Sequence, residues 1–137
     1  TDRSRGLGDV YKRQVVHHAN YLKYFEEARV EYLRAGGLNL NELMEEGIVF
    51  PIVEVSVKYL KSACYDDTLL IRTYLRRVDR VRLDFDYEVV RESTGELLTT
   101  GHTVNTYTHM KTGRIARLPK EKIEGLVKLS EGDRING

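Results

Sequence analysis

The chain has 137 residues, 41% apolar and 31% charged, a length that supports one compact domain and would leave two domains marginally stabilised. Its 22 basic side chains face 21 acidic ones, so no net field steers it toward nucleic acid or a membrane, and any anionic ligand has to be held locally. The lone Cys64 cannot close an intramolecular disulfide, and neither a long apolar run nor an apolar N-terminal signal region is found, so the cytoplasm is the expected address.

The opening "TDRSRGLGDVYKRQ" has basic residues, glycines and no sustained alternation, and the pattern changes abruptly at Val15. From Asn20 to Ala35, Leu22, Phe25, Tyr32 and Leu33 recur at three- and four-residue spacing, with Lys23, Glu27 and Glu31 turned outward. The spacing predicts a helix that Gly36-Gly37 ends. A shorter helix is expected from Asn39, where the Asn39 to Glu42 spacing suits a capping box and Gly47 supplies the stop. The period then drops to two. Val53, Val55, Val57 and Tyr59 alternate with Glu54, Ser56 and Lys58, which predicts a strand with one wet face. Leu69, Ile71, Thr73 and Leu75 form a second strand, and Val81, Leu83, Phe85, Tyr87 and Val89 a third. "ESTGE" reads as a hairpin turn, Leu97 to Met110 as a fourth strand, and Lys120 to Lys128 as a terminal helix. One long helix with several half-wet antiparallel strands implies an α+β domain whose sheet closes its apolar face on the helix; the strand order does not follow.

The stretch "VVHHANYLKYFEEARVEYLRAGG", with its Val pair, Asn20-Tyr21, Phe25-Glu26 and Arg29, resembles the hotdog-fold acyl-CoA thioesterases, in the 4-hydroxybenzoyl-CoA thioesterase and YbgC-like branch. "FPIVEVSVKYLKSACYDDTL" and "GHTVNTYTHMKTGRIARLP" extend the resemblance over roughly Val15 to Pro119. It implies a central helix wrapped by a curved antiparallel sheet, a homodimer or homotetramer, an acyl-CoA substrate, and hydrolysis to free acid and CoA without metal or added cofactor.

In such enzymes the thioester carbonyl points at the N-terminus of the long helix, whose unpaired N–H groups and dipole stabilise a developing oxyanion. By position the His18 backbone N–H would be that donor, with its imidazole as a further polar group. The attacking carboxylate belongs to an Asp-x-x-Gly-Val-Val pattern, and counting back from Val15 puts it at residue 11, which is Tyr11, while the expected Gly is Gln14. Residues 1–14 resemble translated adapter read-through and are set apart as non-native, leaving 15–137 as a single hotdog domain. Asp9, two residues short of the expected position, sits too far along a strand to replace the base. His17 and Tyr21 are candidates for the acyl pocket. Arg80 and Arg82, extended by Arg76 and Arg77, could meet the phosphates of coenzyme A, with a solvated strand face as the bland reading; Arg114 and Lys120 are weaker candidates.

Glu26 could be a catalytic carboxylate but is expected to pair with Arg29 at i, i+3 or to cap a neighbouring loop. His102 and His109 lack a third ligand at a useful spacing, and Cys64 is expected to be buried or inert. The reading is therefore an acyl-CoA thioesterase impaired by the missing Asp. The rivals are an acyl-CoA-binding protein of the same fold without significant turnover and, behind it, a hydroxyacyl-thioester dehydratase.

Overall fold

The computed structural model describes residues 11–16 and 21–136, with side chains from 21 to 131. In chain order the elements are β1 (Tyr11–Val16), α1 (Tyr21–Ala35), α2 (Leu40–Glu45), β2 (Ile48–Val49), β3 (Ile52–Tyr59), β4 (Thr68–Val78), β5 (Arg82–Arg91), β6 (Leu97–Thr106), β7 (Thr108–His109) and α3 (Lys120–Asn136). Five strands form one antiparallel sheet in the order β1-β4-β5-β6-β3, and β2 pairs with β7 in a small second sheet.

Helix α1 forms because Tyr21, Tyr24, Phe25, Ala28, Tyr32 and Leu33 fall on one face, and that face is buried. It stops where the sequence places its glycines. Gly37 takes a φ of 85°, its N–H bonds the Arg34 carbonyl at 2.9 Å, and the Leu38 N–H reaches back to Leu33 at 3.0 Å, with Leu38 tucked into the core. The Asn39 side chain accepts from the Glu42 N–H at 3.0 Å and caps α2, as its spacing implies.

The buried helix face lies on the inner face of the sheet. Phe25 stacks on Tyr87 of β5 at 4.4 Å between ring centroids, and Tyr32 meets Phe85 edge-on at 5.5 Å. The strands bury alternate residues: Leu69, Ile71, Thr73 and Leu75 on β4, and Leu83, Phe85, Tyr87 and Val89 on β5. Gly101 of β6 sits under Phe25, and a Cβ there would lie 2.5 Å from the ring. α3 packs against β4 and α1, with its Gly125 directly against the Gly36 carbonyl.

Five expectations change. β1 takes in Tyr11–Gln14, part of the segment set apart, since strand pairing uses backbone groups that any non-proline residue supplies. Leu22 is exposed because it lies off the buried stripe. β3 is exposed on both faces apart from half-buried Val57, because it is an edge strand beyond the helix. The fourth strand breaks at buried Tyr107, whose carbonyl accepts from the Ala116 N–H at 2.8 Å, so Thr108–His109 leave the main sheet to pair with β2. Finally, α3 runs on to Asn136.

Candidate active site

Tyr11 lies on β1 in register opposite Thr73 of β4, and the strand leads toward the start of α1. Asp9, His17 and His18 lie outside the described residues. Tyr21 opens α1 and is buried, its ring 6.1 Å from Tyr24 and 5.8 Å from Tyr59 of β3. Burial pushes its phenol pKa up, partly offset by a hydrogen bond with Thr99. Beside it a cavity of about 410 Å³ is bounded by Tyr21, Tyr59, Leu60, Lys61, Ser62 and Ala63. The N-terminus of α1 thus carries a partly apolar recess, where the unpaired N–H groups of a first helical turn favour negative charge.

Arg80 and Arg82 sit at the β4–β5 turn, at the far end of the strands. β4 is 11 residues long. At about 3.3 Å per residue its ends stand roughly 30 Å apart, so one protomer does not bring these arginines to the Tyr21 recess. Asp79 organises the turn, its Oδ1 accepting from the Val81 and Arg82 N–H groups at 2.9 and 2.8 Å. Burial opposes its ionisation, but the hydrogen bonds from Val81, Arg77 and Arg82 prevail and hold its pKa below the usual carboxylate value. Arg80 Nε donates to the Leu118 carbonyl at 2.6 Å. Arg82 pairs with Asp84 at 2.6 Å, Arg77 with Asp79 at 3.1 Å and Arg76 with Asp86 at 3.3 Å. Each guanidinium therefore already has an acceptor within the chain.

Glu26 and Arg29 do not pair as expected. Glu26 is exposed, while Arg29, only 4% exposed, faces the core and donates to the Tyr87 hydroxyl at 3.2 Å; that hydroxyl lies 2.8 Å from Thr103 Oγ1. Residues three apart on a helix share a side only within about 60°, and here the core boundary runs between them. This buried polar relay was missed by sequence reasoning. The available signal was Arg29 four residues after Phe25 and four before Leu33, on the buried stripe. A cavity of about 390 Å³ beside Arg29 is lined mainly by the exposed side of α1 and Phe50.

Cys64 is not buried, as one of its two expectations had it, but exposed, because it lies in the β3–β4 turn, where its N–H bonds Asp67 Oδ2 at 2.7 Å. His102 lies on the outer face of the sheet with Nδ1 2.7 Å from Asp86 Oδ1, and His109 is exposed on β7. Among the described residues no three His, Cys, Asp or Glu gather as a metal-binding group. The cavity around His102 is larger, about 630 Å³, and includes Tyr74, Arg76, Asp86 and Glu88. It lies on the opposite side of the sheet from α1, and most of its polar groups are already engaged: Tyr74 donates to Glu88 at 2.7 Å, Arg76 pairs with Asp86 at 3.3 Å, and Asp86 also meets His102. The recess at the helix entrance is the better candidate.

A long helix seated on one face of a five-stranded antiparallel sheet ordered β1-β4-β5-β6-β3, with a recess at the helix entrance, defines a hotdog-fold protein. The thioesterase-like superfamily matches residues 7–126, and the chain belongs to that family of thioester hydrolases. It is similar to the acyl-CoA thioesterase YbgC of Haemophilus influenzae, with 34% identity covering 58% of this chain and 59% of the relative. The structure of a DHNA-CoA thioesterase from Staphylococcus aureus superimposes with a TM-score of 0.81 at 25% identity, over 92% of this chain and 94% of that one. A Thermus thermophilus structure of a hypothetical protein gives 0.71 at 31% identity, over 93% and 91%. No helix among the described residues is long and apolar enough to cross a membrane.

Proposed function

We propose that the chain is a cytoplasmic acyl-CoA thioesterase of the YbgC-like branch, built as a homodimer or dimer of dimers, whose turnover is impaired because Tyr11 stands where the attacking carboxylate is expected. The observation that carries the reading is residue 11 itself: it sits on β1, the strand that leads toward the entrance of α1, and it offers a phenol. The substrate class is supported by the family and by the acyl-CoA thioesterase relative.

In the intact reaction the helix N–H groups, with that of His18 foremost, polarise the thioester carbonyl. A carboxylate at position 11 either takes a proton from the water that attacks the carbonyl, or attacks it and forms a mixed anhydride that water then hydrolyses; in both routes the C–S bond breaks, CoA leaves as the thiolate, and the acyl group ends as the free acid. Coenzyme A is part of the substrate, and the chemistry needs no metal. His17 and Tyr21 line the acyl side of the site. In this reading residues 1–14 are a foreign segment, of which Tyr11–Gln14 supply strand backbone to β1 without the expected carboxylate at position 11.

The recess is half a site. β3 pairs with β6 on one side only, and it exposes Val53, Val55 and Tyr59. Antiparallel pairing of two copies along β3 would cover that edge. It would also swing the β4–β5 turn, with Arg80 and Arg82 of the partner subunit, to the same end as the Tyr21 recess, where coenzyme A phosphates would enter.

The test is thiol release from acetyl-, hexanoyl- and benzoyl-CoA. Restoring the pattern with Tyr11→Asp and Gln14→Gly is expected to raise the rate by about a hundredfold or more, the usual contribution of a positioned acid–base group. Equal rates for the two chains would sink the missing-base reading. The same Tyr11 favours a second reading, an acyl-CoA-binding protein without significant turnover. It predicts calorimetric binding of an acyl-CoA thioether, with no thiol released from the thioester even after restoration.

A further inference from the structure

The near-zero net charge conceals a local field. Between Tyr107 and Lys120 the sequence carries Lys111, Arg114, Arg117 and Lys120 and no Asp or Glu. All four are exposed, and none forms an ion pair among the described residues. On the main sheet, by contrast, Arg72, Arg76, Arg77, Arg82 and Arg91 each sit against a carboxylate. The described arginines of that sheet are neutralised, and those of this segment are not.

The segment is also shaped. From Thr108, bridged to Ile115, it folds into a tight hairpin: the His109 N–H bonds the Arg114 carbonyl at 2.8 Å, and Gly113 turns the chain with a φ of 73°. Met110 is 52% exposed and Ile115 55%. Gly47, which follows α2, accepts from the Met110 N–H at 2.7 Å and ties the hairpin to the body of the protein. Met110, Lys111, Arg114 and Ile115 thus project from one turn, with Arg117 two residues beyond it, and the hairpin lines none of the cavities described above.

We propose that this hairpin docks the protein on an anionic phospholipid surface, with Lys111, Arg114 and Arg117 on the headgroup phosphates and Met110 and Ile115 seated at the acyl boundary. Peripheral binding of this kind combines electrostatic attraction with shallow apolar burial, and neither alone holds a protein firmly. An acidic protein partner would need a carboxylate cluster and an apolar pocket matched to one protruding turn. A bilayer offers both layers at every point. The inference does not depend on turnover, and a dimer would present the hairpin twice.

The test is flotation of the full chain with vesicles of phosphatidylglycerol and phosphatidylcholine, against vesicles of phosphatidylcholine alone. Selective binding to the anionic vesicles, weakened by salt, is expected. Lys111→Gln with Arg114→Gln and Arg117→Gln should weaken it about tenfold or more, and Met110→Ser with Ile115→Ser should weaken it severalfold. These residues are exposed, so melting temperatures should hold; if the triple variant melts early, Lys111→Glu alone should still lower the bound fraction. Equal binding to both vesicle types, or full retention by either variant, overturns the proposal. So does capture on polyglutamate beads without any binding to vesicles, which would point to an acidic protein instead.

Discussion

Asp79 is a single carboxylate that fixes the geometry of the β4–β5 turn through two backbone N–H groups. Removing it with Asp79→Ala is expected to cost about 1 kcal/mol at neutral pH, the usual net worth of such bonds, with the ion pair to Arg77 adding little at a partly exposed site. Its native pKa is depressed, so the stabilisation is present above the unfolded carboxylate pKa and disappears as pH falls through the lower native value. Denaturation midpoints of wild type and Asp79→Ala should therefore converge in acid; a gap that stays constant would mean that the ionised form is not what matters. Arg29 makes a different case. Its side chain is buried and hydrogen-bonded to a tyrosine. Arg29→Ala should cost about 2–4 kcal/mol through the cavity it leaves and the tyrosine contact it breaks, whereas Arg29→Met should recover much of this by filling the space. Urea unfolding of the pair separates packing from charge.

Among the elements, the seating of α1 depends on one missing side chain. Gly101→Ala would place a methyl group 2.5 Å from the Phe25 ring. Overpacking of this kind costs about 1–3 kcal/mol, and here the strain falls on the helix that carries the proposed carbonyl-polarising entrance. A calorimetric melt should show a lower Tm for Gly101→Ala and little change for alanine at open, surface positions. The sequence made α1, β4 and β5 legible because their burial follows a period that residue identities display directly, and α2 because its Asn39 cap and Gly47 stop bracket it. It could not reveal that β3 is exposed on both faces apart from Val57. Alternation says which residues share a face, and only the strand order says whether anything covers it. The break at Tyr107 was hidden for a related reason: a Thr-rich run reads as extended, and the tertiary contact that bends it is made with Ala116, beyond the run.

For the whole molecule, the exposed edge of β3 is where assembly is expected. Val53→Lys with Val55→Lys should turn a dimer into a monomer by light scattering. Added to the Tyr11→Asp, Gln14→Gly chain, the same pair should lower thiol release, because each recess would lose its second half. A variant that stays dimeric would exclude β3 as the interface. Of the proposed site, the sequence placed Tyr21 at the strand–helix entrance, and the structure buries it beside the recess, with residue 11 on the strand before the helix. The turn position of Arg80 and Arg82 was legible from the strand spacing, while their distance from the Tyr21 recess was not, because it follows from the direction and pairing of β4 and β5.

Cys64 is the chain's single cysteine; it is solvent-facing, and it directly follows Ala63 on the recess rim. That gives each protomer one chemical address at the mouth of the proposed site. A fluorophore attached there would report ligand entry without any mutation. A colorimetric thiol assay must in turn be read against one equivalent of protein sulfhydryl, and alkylating Cys64 first would remove that background while asking whether a bulky group at the rim blocks the way in.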